Sequence, residues 1–190
     1  MAESSRETMT ESQRPEVDIG LVKAAKGDPR AFAELYQSFV EPVFRYLYSR
    51  TGNVHDAEDA TAQTFLVAFE TIASLRQEEH LASWLFSIAR HKVMDQYRTQ
   101  KRIVSIDFVA EITTEKDPLS EVIRSEQSAT LAQLIAALPE DERELLRLRF
   151  LASLSFPEMA RLLRRNEEAV KKSLYRLLAR LHDQVEVTHD

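Results

Sequence analysis

The sequence contains no cysteine, only 3 glycines and 6 prolines among its 190 residues, and no long apolar run. Without cysteine the chain can form neither a disulfide nor a cysteine-based nucleophile. The shortage of glycine and proline leaves little material for tight turns, which favours long helices. A membrane helix would need roughly eighteen consecutive apolar residues, and the polar N-terminal residues do not resemble a signal peptide. We therefore expect a helical, cytoplasmic protein without membrane insertion.

Charged residues are plentiful, but their signs are separated along the chain. The formal net charge is −6, yet residues 103–129 contain 2 basic and 6 acidic residues, while residues 130–181 contain 10 basic and 7 acidic ones. The acid is thus concentrated in the ends and in one internal stretch, outside the segments with apolar periodicity. Late in the first half, a group of cations faces only Asp95 and forms a local basic patch. These cations are Arg90, Lys92, Arg98, Lys101 and Arg102.

Four helices are predicted before residue 102, because apolar residues recur there every three or four positions. A short helix over 18–26 ends at Gly27, and a longer one starts at Pro29 and stops at Gly52, with a kink-prone proline at position 42. A third helix is expected from His55 or Asp56 to Ala73, and a fourth from about Leu81 to Gln100. The aromatic residues expected to face the core are Phe32, Tyr36, Phe39, Phe44, Tyr48, Phe65 and Phe69.

The second half of the chain has the pattern of a helix-turn-helix. A helix from about Gln127 to Leu138 precedes one that begins at Pro139. Ser155 and Asn166 are the expected N-caps of the two helices that follow. The last helix has one apolar stripe and one face rich in cations, which suits contact with phosphates and base edges. The stripe consists of Val170, Leu174, Leu177, Leu178 and Leu181, and the other face of Lys171, Lys172, Tyr175, Arg176 and Arg180.

Together these patterns predict an all-α fold made of two small helical domains. We expect the first domain over 18–102 and the second over 128–182, joined by an extended acidic linker at 103–127. Residues 1–17 and 183–190 are expected to be flexible tails. The linker either acts as a solvated spacer or imitates a polyanion.

Four blocks of sequence follow one another in an order that is typical of one protein family. PRAFAELY at 29–36 opens the set, and DAEDATAQTFLVAF at 56–69 is similar to the family text DAEDLVQETFLRAW. LASWLFSIARHKVMDQYR at 81–98 is similar to FRAWLYTIARNLALDHLR, and LPEDERELLRLRFLASLSFPEMARLL follows at 138–163. The chain therefore resembles the extracytoplasmic-function (ECF) group of the sigma-70 family of bacterial RNA polymerase sigma factors.

This resemblance implies a sigma factor that binds core RNA polymerase and directs promoter-specific initiation of transcription. The region-two domain would dock on the polymerase clamp and melt the minus-ten element, and the region-four domain would read the minus-thirty-five element. For the clamp, the resemblance implicates Asp56, Glu58, Asp59 and Gln63. The alternative for Asp56 and Glu58 is a purely structural role at a helix N-terminus. Ala62 and Gln63 stand where the family usually has Gln and Glu, which weakens one expected polar contact.

For the minus-ten element, an exposed base needs an aromatic or polar pocket, and cations must follow the backbone of the strand. The residues that match the family here are Trp84, Arg90, His91, Lys92, Asp95, Arg98, Lys101 and Arg102. Trp84 and His91 are two helical turns apart and share a face, although a tryptophan taken alone is more often a core residue than a surface on which a base stacks. His91 stands where the family commonly has Asn, so the preferred base could differ.

For the minus-thirty-five element, the resemblance implicates the turn and the first part of the last helix. The candidate residues are Arg164, Arg165, Glu167, Glu168, Lys171, Lys172, Tyr175 and Arg176. Two of them depart from the family, which usually has Gly at position 164 and a small residue at 168. If position 164 requires a positive φ angle, arginine there costs about 1 kcal/mol. Glu167 and Glu168 could accept from cytosine amino groups or repel phosphate.

Other classes of protein remain to be weighed against a sigma factor. The cationic face could be merely solvated, or the chain could be a stand-alone helix-turn-helix regulator whose first domain dimerises or binds a ligand. A third alternative is a sigma factor that needs an accessory recruiting factor. We expect no enzyme, cofactor or metal site, because the sequence has no Gly-rich phosphate loop and no HExxH motif. The expected partners are the polymerase clamp and flap, promoter DNA and, by resemblance, an anti-sigma factor.

Overall fold

A computed structural model describes residues 18–100 and 130–188, with side chains over 18–94 and 130–186. All regular secondary structure in these ranges is helical. In the first range the helices are α1 (Ile19–Ala25), α2 (Pro29–Thr51), α3 (Val54–Thr71) and α4 (Leu81–Gln100), with 3₁₀ turns at Ile72–Ser74 and Glu78–His80. In the second range they are α5 (130–136), α6 (Glu140–Leu146, continued as a π-helix over Arg147–Leu151), α7 (Phe156–Leu163) and α8 (Glu167–Thr188).

Short polar side chains fix where the helices begin. The Asp28 carboxylate accepts from the backbone N–H of Arg30 before α2. Asn53 accepts from the N–H of Asp56, so α3 begins at Val54, slightly before the predicted start. Asn166 accepts from the N–H of Glu168 at 2.9 Å, which confirms it as the N-cap of α8.

The capping prediction at Ser155 is also confirmed, by a capping box. The Glu158 carboxylate accepts from both the backbone N–H and the hydroxyl of Ser155, at 2.7 and 2.6 Å. At the other end of the chain, α8 continues to Thr188, so residues 183–188, which were expected to lie in a tail, are helical.

Two aromatic residues that were predicted to be buried are half exposed. Tyr36 is 42% and Phe69 47% exposed. Each lies at the margin of the apolar stripe and covers a ring on the facing helix, Phe65 and Phe32 respectively, in edge-to-face contacts of 4.7 and 5.0 Å. The prediction was wrong because helical periodicity identifies an apolar side of a helix but not its margins.

The two halves of the chain pack against each other. We call α1–α4 the N-terminal bundle and α5–α8 the C-terminal bundle. Helix α2 contacts the π-helical end of α6, and α4 contacts α7. A single buried apolar cluster runs through both bundles, from Val22 and Phe39 to Met159 and Leu174. The sequence predicted two tethered domains, and the structure adds that they share a core.

Candidate functional surfaces

The candidate docking residues lie on the outer side of α3. Glu58, Asp59 and Gln63 are exposed, and Asp56 is half-buried in the first turn. At about 100° per residue, Asp59 and Gln63 lie on one exposed face, while Glu58 lies toward its edge. The buried side of the helix packs on α2 and α4, so this face looks away from both of its neighbours. Asp59 and Gln63 are therefore the best placed of the four candidates to meet a partner.

An apolar patch adjoins these polar residues, and sequence reasoning missed it. Leu66 is 58% and Phe69 47% exposed on α3. Leu66 follows Gln63 by three residues and lies on the same face. Two large apolar groups exposed side by side next to acids and amides offer area that a protein partner can bury. The only sequence signal was that Leu66 falls outside the buried stripe of α3.

Three of the candidate minus-ten residues of α4, Trp84, Arg90 and His91, line a cleft between the bundles. The cleft has a volume of about 700 Å³, with Trp84, His91 and Met94 on one wall and Leu162, Leu163 and Arg164 on the other. Trp84 is half-buried, so the structure supports neither a fully packed tryptophan nor a free one. Trp84 and His91 do share a face, as the helical spacing predicts. A base that enters this cleft would meet an aromatic ring and an imidazole together.

His91 is held in one orientation by its own helix. Its Nδ1 lies 2.6 Å from the carbonyl oxygen of Ser87. A carbonyl only accepts, so Nδ1 must carry the proton and donate. The other nitrogen, Nε2, then accepts a hydrogen bond when the ring is neutral and donates when the ring is charged. A neutral His91 therefore suits a base that presents an amino group, unlike the asparagine of the family, which both donates and accepts.

Arg90 forms an ion pair across the bundles, an arrangement that the sequence did not predict. Its Nε lies 3.3 Å from Oε1 of Glu144, which belongs to α6 and is 4% exposed. Arg50 of α2 contacts Oε2 of the same carboxylate at 2.5 Å, and the Tyr46 hydroxyl donates to Oε1 at 2.8 Å. Arg147 lies 3.6 Å away on α6 itself. We call these five side chains the Glu144 cluster.

The Glu144 cluster shifts the titration of two of its members. Burial raises the pKa of Tyr46 above its ordinary value, and the neighbouring negative charge of Glu144 raises it further. Burial alone would lower the pKa of Arg50, but Tyr46, Glu144 and Glu140 outweigh that effect and raise the pKa. Both groups therefore keep their protons in the folded protein, with the phenol donating and the guanidinium charged.

Alkaline pH should weaken the fold through Tyr46. Folding raises the pKa of Tyr46 above the unfolded value of 10.0. The contribution of Tyr46 to the unfolding free energy is therefore complete below pH 10 and declines as the pH rises above that value. Between pH 9 and pH 11 we expect Tyr46 to account for about 1 kcal/mol of lost unfolding free energy. Urea unfolding followed by circular dichroism measures this loss, which a Tyr46→Phe variant should lack. A Tyr175→Phe variant, which leaves Tyr46 intact, should retain it; equal losses in all three proteins would contradict the assignment.

The apolar face and the cationic face of α8 lie on opposite sides of the helix, as the spacing predicted. Val170, Leu174 and Leu177 are buried, and the opposite face presents Lys172 and Arg176 to solvent. Glu167 and Glu168 are exposed at the N-terminus of the helix, where the dipole favours their charge. Arg165 is also exposed and donates to the Ser173 hydroxyl at 3.1 Å. The helix thus offers cations along its length and acids at its tip.

An aromatic ring that was not among the candidates organises one edge of this surface. Phe156 lies 5.9 Å from the Tyr175 ring and 5.9 Å from Nζ of Lys171. Arg149 covers Phe156 at 4.9 Å and donates to the Leu154 carbonyl. Cations stacked on a ring lose rotamer freedom in advance of binding. Phe156 therefore holds Lys171 and Arg149 on the same side as Tyr175.

Arg164 adopts the strained backbone conformation that was expected because the family usually has Gly at this position. Its φ and ψ angles are 54° and 44°, and it ends α7 in the left-handed region. The backbone N–H of Arg165 donates to the Ala160 carbonyl at 2.9 Å, which closes the turn as in a Schellman motif.

Replacing Arg164 with glycine should stabilise the protein. We expect Arg164→Gly to raise the unfolding free energy by about 1 kcal/mol, since glycine adopts a positive φ without a Cβ clash. The matched control is Arg161→Gly, one turn earlier in helical backbone, which should lose about 1 kcal/mol. Thermal unfolding compares the two variants. A loss of stability in both would show that the turn imposes no strain on Arg164.

Part of the candidate site lies outside the described side chains. Asp95 and Arg98 fall on the last turns of α4, where only the backbone is described, and Lys101 and Arg102 lie outside the described residues. Within the part of the chain that the structure describes, no helix combines the length and apolarity needed to cross a membrane. Nor do three histidine or carboxylate side chains there converge where they could hold a metal ion.

Each of the two bundles matches the model of a known protein family. A model of sigma-70 region 2 matches residues 35–103, and a model of sigma-70, region 4 matches residues 128–181. The chain is 34% identical over 169 residues to the ECF RNA polymerase sigma factor BldN of Streptomyces coelicolor, and the alignment covers 84% of this chain and 62% of BldN. It is 31% identical over 152 residues to the ECF RNA polymerase sigma factor SigM of Bacillus subtilis, and that alignment covers 78% of this chain and 91% of SigM.

Solved structures share the fold across both bundles. CnrH in complex with the cytosolic domain of CnrY aligns with a TM-score of 0.63 at 22% identity, over 90% of this chain and 99% of that one. The sigma factor RpoE in complex with the anti-sigma factor NepR from Bartonella quintana aligns with a TM-score of 0.61 at 20% identity, over 82% and 97%. The all-α, two-part fold that the sequence predicted is therefore confirmed.

Proposed function

Because the chain belongs to the sigma-70 family as an ECF sigma factor, we propose that it binds core RNA polymerase and directs initiation at a specific set of promoters. The observation that carries the proposal is the presence of both region 2 and region 4 in one chain, with a cationic recognition helix in the second. Such a subunit selects promoters and supplies no catalytic chemistry of its own. It would work in the cytoplasm, where the polymerase is.

Docking on the polymerase clamp is assigned to α3. Asp59 and Gln63 would contact basic and polar groups of the clamp, with Asp56 and Glu58 at the edges of the contact. Leu66 and Phe69 supply the apolar area that gives an interface most of its affinity. The C-terminal bundle would contact the polymerase flap.

Promoter melting is assigned to α4. Trp84 offers a stacking surface and His91 a hydrogen-bonding group for one base that leaves the stack. Arg90 and Lys92 would neutralise the strand backbone, together with Arg98, Lys101 and Arg102. The single acceptor at Nε2 of neutral His91 favours a base with an exocyclic amino group, which predicts a minus-ten preference different from that of family members with asparagine.

Duplex reading is assigned to α8 and the turn before it. Lys172, Tyr175 and Arg176 would face the major groove, and Arg164 and Arg165 the phosphates. The acids Glu167 and Glu168 oppose phosphate contact at the tip of the helix. They keep open a variant of the proposal in which an accessory factor helps to recruit this sigma factor.

The proposed anti-sigma partner rests on the relatives. The co-crystal structure of RpoE contains the anti-sigma factor NepR, and the structure of CnrH is a complex with the cytosolic domain of CnrY. A protein of the same kind would cover the polymerase- and promoter-binding faces of this chain.

Co-purification with core RNA polymerase separates the proposal from a stand-alone helix-turn-helix regulator. We expect the full chain to elute with core polymerase in a stoichiometric complex on size exclusion. A chain that binds a selected DNA duplex but never elutes with core polymerase would contradict the proposal and favour the regulator. A chain that binds core but initiates only with a second protein would identify the recruited variant.

A further inference from the structure

The cleft between the bundles is lined by cations from both of them. Four arginines and two histidines contribute to its walls, and no acidic side chain of the described residues does. One of the arginines, Arg90, is already paired with Glu144 at 3.3 Å. Glu78, an acid that lies beside this wall in the sequence, is paired with Lys26 at 2.6 Å. An anion that entered the cleft would therefore meet positive charge without an opposing carboxylate.

Three of these arginines have their charge available for a ligand. Arg76 lies between α3 and α4, Arg161 lies in the last turn of α7, and Arg164 ends that helix. All three are exposed, and within the described ranges none of them is paired with a carboxylate. The C-terminus of α7 alone would repel an anion, because the helix dipole places roughly half a negative charge there. The two cations of that turn outweigh the dipole.

An aromatic ring and a hydrogen-bond acceptor lie in the same cleft. Trp84 is half-buried in the wall, which leaves part of its indole ring open for a base to stack on. His91 offers its Nε2 atom, because its Nδ1 atom lies 2.6 Å from the Ser87 carbonyl oxygen and donates to it. A neutral imidazole then accepts from an exocyclic amino group such as that of adenine. The cleft thus combines groups that suit a base with groups that suit phosphates.

The size and the charge of the cleft suit a free nucleotide. Its volume of about 700 Å³ lies in the range of roughly 300–1,000 Å³ that is usual for small-molecule sites. A DNA strand carries one negative charge per nucleotide and spreads that charge along its length. A nucleoside diphosphate or triphosphate instead concentrates the charge of all its phosphates at one end. Three unpaired guanidinium groups around one cleft match such a concentrated charge.

We propose that this cleft binds a free adenine nucleotide with two or more phosphates. The base lies against Trp84 and His91, and Arg76, Arg161 and Arg164 hold the phosphates. Binding itself rests only on the residues of the cleft. The consequence for transcription rests on the proposed function: a bound nucleotide occupies Trp84 and His91, so it competes with the minus-ten strand for the same side chains.

Tryptophan fluorescence of the full chain tests the site directly. Trp84 is the only tryptophan in the sequence, so its emission reports on this cleft without a label. We expect ATP to quench the emission to saturation, while a free tryptophan derivative, titrated in parallel, corrects for light that the nucleotide absorbs. Adenosine and inorganic tripolyphosphate, which each keep only part of the contacts, should bind about tenfold more weakly than ATP. ITP, in which an oxygen replaces the amino group of adenine, should also bind about tenfold more weakly.

Variants on both walls of the cleft locate the phosphates. Arg76→Gln and Arg161→Gln should each weaken ATP binding by about tenfold, because each removes one charge-assisted contact, and should leave adenosine binding unchanged. Arg164→Gly should lose a similar factor although it is expected to stabilise the fold, so unfolding cannot account for that loss. The matched control is Arg45→Gln on α2, since Arg45 is exposed but does not line the cleft. It should bind ATP with the wild-type affinity.

The outcomes separate the nucleotide site from the proposed function. Quenching that does not saturate, or that is equal for ATP and adenosine, would overturn the site, as would wild-type ATP affinity in the three cleft variants. Tripolyphosphate that binds as tightly as ATP would overturn the choice of a nucleotide. An excess of single-stranded DNA should lower the apparent affinity for ATP, and an unchanged affinity would overturn the competition. A chain that binds ATP but not core polymerase would overturn the proposed function and leave the nucleotide site supported.

Discussion

Leu66→Asp should lower the affinity of this protein for core RNA polymerase by about thirtyfold, equivalent to about 2 kcal/mol. Leu66 is the most exposed large apolar residue of the described side chains, at 58%, and it lies one turn from Gln63. An aspartate there removes apolar area and places a new charge in the centre of the proposed contact. The fold should tolerate the change, because the side chain already faces water.

The matched control for this prediction is Val54→Asp. Val54 is 52% exposed on the same helix, but it lies at the N-terminus, where an acid favours the helix dipole. Fluorescence titration of labelled protein with core polymerase measures both affinities. Binding of the Leu66→Asp protein at wild-type affinity, or an equal loss in both variants, would place the docking face elsewhere.

The second large effect is expected on promoter duplex. The double variant Lys172→Ala/Arg176→Ala should weaken binding of the holoenzyme to a minus-thirty-five duplex by about a hundredfold. Both side chains are exposed on the face of α8 that opposes its buried stripe. The slope of log affinity against log salt should become shallower by about 2, because the variant brings two fewer cations to the duplex and therefore displaces fewer of its counterions.

Arg180→Ala controls for the loss of positive charge on the same helix. The guanidinium of Arg180 is paired with Glu142, so its removal should change duplex affinity little. The duplex is selected from a randomised pool by the wild-type holoenzyme and titrated at several salt concentrations. A double variant that keeps the wild-type affinity and salt slope would show that α8 does not contact DNA in this way.

Local chemistry accounts for what the sequence could predict. Asn166 and Ser155 were recognisable as caps because a short polar side chain before an apolar repeat has few other uses. The positive φ at Arg164 was expected because the family that the chain resembles usually has Gly at this position, where a helix often ends in the left-handed region. The face of α8 followed from spacing alone. These features depend on a few neighbouring residues.

The features that the sequence did not reveal depend on contacts between distant residues. Tyr46 and Glu144 are 98 positions apart, and no local pattern pairs them. Glu144 resembled another first-turn acid in PEDERE, and Arg90 resembled a free cation of a basic patch. Leu66 was overlooked because an exposed leucine is not marked by periodicity. Such assignments require the packing of the two bundles, which tertiary contacts determine.

Run-off transcription with core RNA polymerase tests the central claim most directly. Core polymerase is incubated with and without the full chain on a pool of templates with varied minus-ten and minus-thirty-five elements. We predict initiation from a defined subset of templates only when the chain is present, with minus-ten preferences that change in a His91→Asn variant. A chain that does not bind core polymerase at all, or initiation that is indifferent to template sequence, would contradict the assignment of this protein as a promoter-selecting sigma factor.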